Sequence, residues 1–218
     1  MIDRVAFFAS KENFEDYFNL FIEKEAIFDP HYNLAPSHEI PILLNEENGE
    51  KIKILRARWG FNNSNNGDNS LFNIRIDKAL KKLQSQHVQP CIVPVSGYYI
   101  WKDNDKKKQP FFVRMLNESV MAIAGLAIKS SHNNSGKWFC SIIITDANAL
   151  IHPITESMPL IFTSALATTW LTKPDERSSV LLQADKLFLL TEMTVHRVSK
   201  KVTDIKNNSP KLIQPIPK

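Results

Sequence analysis

Glycine is scarce, at six in 218 residues. Neither a G-x-G-x-x-G run nor a G-x-x-x-x-G-K-[ST] run occurs, which excludes the two common glycine loops that cradle phosphates. Cysteine is scarcer still. Cys91 and Cys140 form no CxxC pair, and both lie in apolar strand-like runs. That placement reads as two buried free thiols rather than a disulfide or a metal pair. The six histidines show no metal-ligand spacing and no HExxH. No metal and no cofactor is expected. No apolar run approaches the ~18 residues that span a bilayer. The opening MIDRVAFFASKENFEDYF meets its charges too early for a signal peptide. The expectation is a cytoplasmic protein with no membrane partner. A strong excess of one charge is also missing. Lys plus Arg is 27 against 23 for Asp plus Glu, a net +4, which permits nucleic-acid binding without demanding it.

What is present is an ordinary globular composition, 43% hydrophobic and 23% charged, in a length that can bury a full core. Ser10 can cap a helix running to about Glu25, with Phe14, Tyr17, Phe18, Phe21 and Ile22 on one apolar face. Its acidic flanks favour core packing over a membrane surface. HYNLAPSHEIPILL reads as an extended segment and a short strand, and KIKILRARWGF as a half-buried strand. NNSNNGDNS, residues 62–70, reads as a loop, and IDKALKKL as a short helix. Strands then dominate: CIVPVSGYYIW, PFFVRML, SVMAIAGLAI, WFCSIIIT and MPLIF, with KDNDKKK as a hairpin tip. TSALATTWL and the stretch around SSVLLQADKLFLL read as late helices, and VHRVSKKV as a closing strand. Helices flank the strands rather than alternate with them. The fold class is therefore α+β with a mainly antiparallel sheet, as one domain over 1–218.

One polar cluster stands out. Asn73, Arg75 and Asp77 alternate along FNIRID and would share one side of a strand. Asn with Arg can hold a phosphate or a base edge; the same pattern also fits an exposed strand edge with a surface ion pair.

Several segments, in order along nearly the whole chain, carry a resemblance. They are YNLAP (32–36), RWG (58–60), NIRID (73–77), CIVPVSGYYIW (91–101), KKKQPFF (106–112), ITDAN (144–148) with ITESMP (154–159), and the tail VHRVSKKVTDIKNNSPKLIQPI. Together they resemble the SOS response-associated peptidase (SRAP) family of abasic-site processing proteins. The resemblance implies a compact domain of curved, barrel-like, mainly antiparallel sheets with peripheral helices. It also implies a chemistry. Family members lose Met1 and expose a cysteine at position 2. The α-amine condenses with the ring-opened aldehyde of an abasic site in single-stranded DNA. The thiol then closes a thiazolidine, leaving a stable DNA–protein cross-link. A Glu and a His transfer protons, and an Asn and an Arg hold the DNA.

This chain departs from that pattern at each reacting group. Position 2 is Ile2, with no thiol, and its bulk disfavours removal of Met1. The family's Glu position is Ile100, which moves no proton at any pH. The family's His falls at Thr155, and the Thr145-to-Thr155 spacing needs no insertion, so His152 is a weak substitute. Ser157 replaces an Arg, and the 62–70 loop lacks a base-stacking aromatic, a contact worth ~1–3 kcal/mol per base. The resemblance retains Arg4, Asn33, Pro36, Asn73, Arg75 and Trp101 as DNA-binding positions, with Asp77, Gly97, Asn148 and Pro159 beside them. No catalytic residue remains intact. Enzymatic status stays open between three readings. The first is a pseudoenzyme that keeps single-stranded DNA as its partner and acts as a monomer. The second is an abasic-site or peptidase-like enzyme using the Met1 amine with Asp77 or His152. The third is a protein-interaction role without DNA.

Overall fold

The computed structural model describes residues 2–22, 28–45, 51–62, 70–85, 87–104, 107–116, 120–130, 136–186 and 192–217. In chain order the first elements are β1 (Val5–Phe7), α1 (Lys11–Phe18), β2 (His31–Leu34), β3 (Glu39–Asn45), β4 (Ile52–Trp59), β5 (Phe61–Asn62) and β6 (Ser70–Leu71). Then come β7 (Asn73–Arg75), α2 (Ile76–Lys82), β8 (Val88–Val95), β9 (Gly97–Asn104), β10 (Lys107–Met115), β11 (Met121–Lys129) and β12 (Trp138–Asp146). The last are β13 (Ser157–Pro159), β14 (Ile161–Phe162), α3 (Ser164–Thr172), α4 (Arg177–Lys186) and β15 (Met193–Arg197). The class is α+β, as the strand-rich middle predicts.

One sheet has five strands in the order β15-β10-β9-β1-β2. The other closes on itself. β12 pairs with β4, β4 with β3, β3 with β8, β8 with β11, and β11 returns to β12. Closure into a barrel removes free edges, and the barrel holds the largest core, including Ile42, Leu43, Ile92, Ile123 and Ile142. Among the described residues only β4 and β7 run parallel to β12, so the pairing is mainly antiparallel. Trp170 on α3 seals one side of the core and donates from Nε1 to the Cys91 carbonyl at 3.1 Å. Cys91 and Cys140 are both free and buried, and burial pushes both thiols far above the usual range.

Local chemistry sets several boundaries differently from the sequence expectation. Helix α1 ends at Phe18, not near Glu25, because Asn19 takes a left-handed cap at φ 50°. Phe21, expected on the buried face, is 81% exposed, with the Lys11 ammonium 5.5 Å from its ring. Glu25 itself lies outside the described residues, as do 63–69 of the expected polar loop; at its ends, Asn62 pairs with Ser70. CIVPVSGYYIW is broken at Ser96, at the Ser-Gly step that interrupts its run of strand-formers, which sends β8 into the barrel and β9 into the five-stranded sheet. MPLIF splits likewise at Leu160, so that β13 pairs with β12 and β14 with β11. VHRVSKKV leaves the sheet after Arg197 and turns into a 3-10 helix at Lys200–Thr203. Of KDNDKKK, the flanks pair as an antiparallel ladder with Asn104 opposite Lys107, and residues 105–106 of the expected tip lie outside the described residues.

Gly97 opens β9 for a reason of space. A Cβ there would meet the ring of Phe112 and lie 2.6 Å from the Val113 carbonyl oxygen. Gly97→Ala is therefore expected to lower stability by about 1–3 kcal/mol, the usual cost of overpacking. Urea denaturation, with an unchanged slope, checks it.

Candidate nucleic-acid interface

The N-terminal segment lies where the two sheets meet. Val5 pairs with Tyr98, and the Tyr99 amide donates to the Arg4 carbonyl at 3.0 Å. On the other side, β7 is held against β12, and the Asn73 Nδ2 group donates to the Ile2 carbonyl at 2.8 Å. One hydrogen bond thus ties residue 2 to the NIRID segment, 71 positions away.

At two of the positions where the resemblance puts reacting groups, the side chains are apolar and inside. Ile2 is 0% exposed and Ile100 1% exposed, and both belong to the main core cluster. Thr155 is half-buried in the turn after β12, its amide donating to the Ile151 carbonyl at 3.1 Å. His152 is exposed in the same turn, and its amide donates to the Asn148 carbonyl at 2.8 Å. Asn148 builds that turn: its Oδ1 accepts from the Leu150 and Ile151 amides, both at 3.1 Å. Met1 lies outside the described residues.

The polar positions divide into two groups. Arg75 is exposed at the end of β7. It does not share a strand face with Asp77, because α2 begins at Ile76 and puts Asp77 in the first helical turn. The pair still forms at 3.7 Å, and Asp146 on β12 accepts from Arg75 Nη2 at 3.1 Å. Of the two options left open by the FNIRID pattern, the geometry seen here is the surface ion pair. Exposed pairs of this kind contribute about 0–1 kcal/mol, so a phosphate can displace either carboxylate at little cost. Arg4 donates from Nη1 to the Asp3 carbonyl at 2.6 Å, and its Nη2 lies 3.5 Å from the Thr203 carbonyl.

Asn33, Pro36 and Trp101 face structural work. Asn33 is 0% exposed, and its Nδ2 group lies within 3.1 Å of the Val202, Asp204 and Asn207 carbonyls. It clamps the C-terminal tail. Pro36 occupies the second position of a turn in which the His38 amide donates to the Ala35 carbonyl at 3.0 Å and Ser37 takes φ 72°. Trp101 is half-buried against the small core of Tyr99, Phe112, Val202 and Leu212.

Sequence reasoning passed over Asp3. Its Oδ1 is buried with no hydrogen-bond partner, as are Arg4 Nε, Asn73 Oδ1 and the Tyr98 hydroxyl around it. Burial raises the Asp3 carboxyl above the ordinary range, against the opposing pull of Arg4, the N-terminal ammonium and Lys108. A lone acid beside an arginine carries no pattern in a sequence, so only the folded environment marks it.

This frame has counterparts. The family model for SOS response associated peptidase matches residues 1–205. The chain belongs to the SRAP family. Among SRAP relatives, it is 30% identical over 229 residues to abasic site processing protein YoqW of Bacillus subtilis, covering 98% of this chain and 99% of that protein. Abasic site processing protein YedK of Escherichia coli is 25% identical over 221 residues, covering 96% and 98%. A solved structure from Bacteroides thetaiotaomicron superposes with a TM-score of 0.78 at 20% identity, covering 98% of this chain and 99% of that one. That likeness shows the same SRAP fold.

Two outcomes test this geometry. Asn33→Ala removes the donor from three tail carbonyls, of which the Val202 contact is fully buried, and a loss of about 1–3 kcal/mol is expected. Hydrogen exchange should show the lost protection in residues 198–207. Asp3→Asn should raise the melting temperature at neutral pH and leave it unchanged in acid. A carboxyl whose folded pKa lies above its unfolded value begins to disfavour the fold as pH rises through the unfolded pKa, does so fully above the folded one, and costs nothing when both states are protonated.

Proposed function

We propose that this SRAP-family protein engages single-stranded DNA at abasic sites without forming the stable cross-link. The burial of both Ile2 and Ile100 in one apolar cluster carries the reading. An alkyl side chain at residue 2 offers no sulfur to close a ring, and one at residue 100 offers no proton. Catalytic groups that act as a unit lose nearly everything when one is removed, and here the nucleophile, acid and His positions are all substituted. Support for DNA engagement comes from the exposed Arg75 guanidinium, the Asn73 side chain at the mouth of the same segment, and the relatives named for abasic-site processing. A role in the response to DNA damage follows from the same relatives.

The test is a denaturing gel of the purified protein with single-stranded DNA bearing one abasic site, run with and without borohydride. Binding to undamaged strand is measured in parallel at two salt concentrations. The expected outcome is salt-sensitive binding and no covalent band. A band that needs no borohydride overturns the loss of cross-linking. A band only with borohydride identifies an imine on an amine. Salt-insensitive or absent binding moves the protein to an interaction role without DNA. Arg75→Ala is expected to reduce the salt slope of binding by about 1, the signature of one lost phosphate contact.

A further inference from the structure

A cavity of about 510 Å³ lies between the edge strand β2 and the outer face of β3 and β4. Two imidazoles reach it from the two ends of HYNLAPSH. His31 opens β2, and the Ala35–His38 turn folds His38 back, so that the ring centroids stand 6.1 Å apart. Each ring has its Nδ1 occupied. His31 Nδ1 accepts from the Asn33 amide at 3.2 Å, and His38 Nδ1 from the Ala35 amide at 3.4 Å. A ring nitrogen that accepts from an amide carries no proton, so in the neutral ring the proton sits on Nε2.

That tautomer decides the ligand class. An Nε2–H group has no lone pair for a metal, and a metal-bound histidine shows the reverse arrangement, donating its second N–H to an acceptor. Both open edges are donors. Arg56 and Asn208 complete the lining. The Asn208 Oδ1 is taken by the Tyr32 amide at 2.8 Å, which leaves its NH2 as the group able to donate. The half-buried imidazoles contrast with Asp29 and Glu39, which are exposed at the rim.

We propose that this cavity binds a phosphate group, either free inorganic phosphate or one from the backbone of a DNA strand, through the Nε2–H groups of His31 and His38 with Arg56 and Asn208. A phosphate offers acceptors to all four donors at once. Binding takes up protons. Burial, His38 and Arg56, in that order, hold the His31 pKa below the usual imidazole range. An anion between the rings opposes each of these. At neutral pH the lining sets one guanidinium against the rim carboxylates of Asp29 and Glu39. Protonating His31 exchanges the Asn33 amide bond at Nδ1 for a positive charge that faces the anion, so affinity rises as pH falls.

The test uses the full chain and follows the imidazole Cε1 protons by NMR between about pH 5 and 8, the range in which histidine charge changes. Inorganic phosphate is expected to move the His31 midpoint upward, and chloride at equal ionic strength is not. His38→Asn keeps an acceptor for the Ala35 amide and removes Nε2, so it should abolish the shift. A midpoint unmoved by phosphate, or moved equally by chloride, overturns the proposal, as does a shift produced by zinc alone. A second arm measures single-stranded DNA affinity against salt near pH 6 for the parent chain and His31→Asn. A slope lower by about 1 in the variant makes DNA the source of the phosphate. An NMR shift with an unchanged slope makes it free phosphate. Failure of DNA binding alone, with the NMR shift present, removes the proposed function and leaves this site standing.

Discussion

The structure depends on both edges of one strand. Residues Trp138–Asp146 of β12 pair with β4 and then β7 along one edge, and with β11 and then β13 along the other. The first partner on each edge closes the barrel. The second two bring in the polar segments of the candidate interface: Asn73 and Arg75 on β7, and the turn that begins at Asp146 and returns at Ser157. A barrel strand normally ends where its neighbours end. Here the strand outlasts its barrel partners, and the overhang becomes the scaffold on which β7 and β13 are mounted. Arg75 meets Asp146 because β7 runs parallel to this overhang with Arg75 opposite Ile144, two residues before Asp146.

The apolar substitutions read differently in this light. Ile2 and Ile100 are continuous with the core that the barrel encloses, so the seam between the sheets is filled rather than vacated. A carboxylate at position 100 would need solvation or partners, and burying it uncompensated is unfavourable. Alkyl groups need neither. The seam is packed at these two positions. Among the described residues, Asp3 Oδ1, Arg4 Nε, Asn73 Oδ1 and the Tyr98 hydroxyl are buried without a hydrogen-bond partner.

The class, the strand-rich middle, the buried thiols and most elements were legible because they rest on local periodicity. Three features were not. The sheet that receives each side of the Ser-Gly break in CIVPVSGYYIW, and the split of MPLIF at Leu160, depend on distant partners, and apolar runs look alike whichever sheet they enter. The early end of α1 depends on Asn19 taking a left-handed conformation, while the apolar spacing continues past it through Phe21. The division of the polar residues depends on contacts far along the chain. Asn33 looks like a ligand-binding residue in YNLAP, and only the arrival of residues 202–207 shows where its amide is used. Asp77 shows a smaller version of the same limit. Period-two spacing with Arg75 suggests one face, but the backbone changes from strand to helix between them.

The Asn33 clamp also has a kinetic side. Its amide waits for carbonyls 169 to 174 positions later in the chain, among the longest loop closures in the fold. During synthesis, strand β2 exists long before its tail partner leaves the ribosome. Until then Asn33 must stay hydrated, and the face of β9 and β10 that holds Tyr99 and Phe112 has no cover. Contacts this distant slow folding because the entropy of closure is lost before the contact is gained. The five-stranded sheet should therefore be the last part to settle, after a barrel that needs nothing beyond β12 to close its ring. A nascent chain whose barrel closes first presents the face of Tyr99 and Phe112 uncovered until residues 202–212 arrive, and an uncovered aromatic face is prone to misassociation.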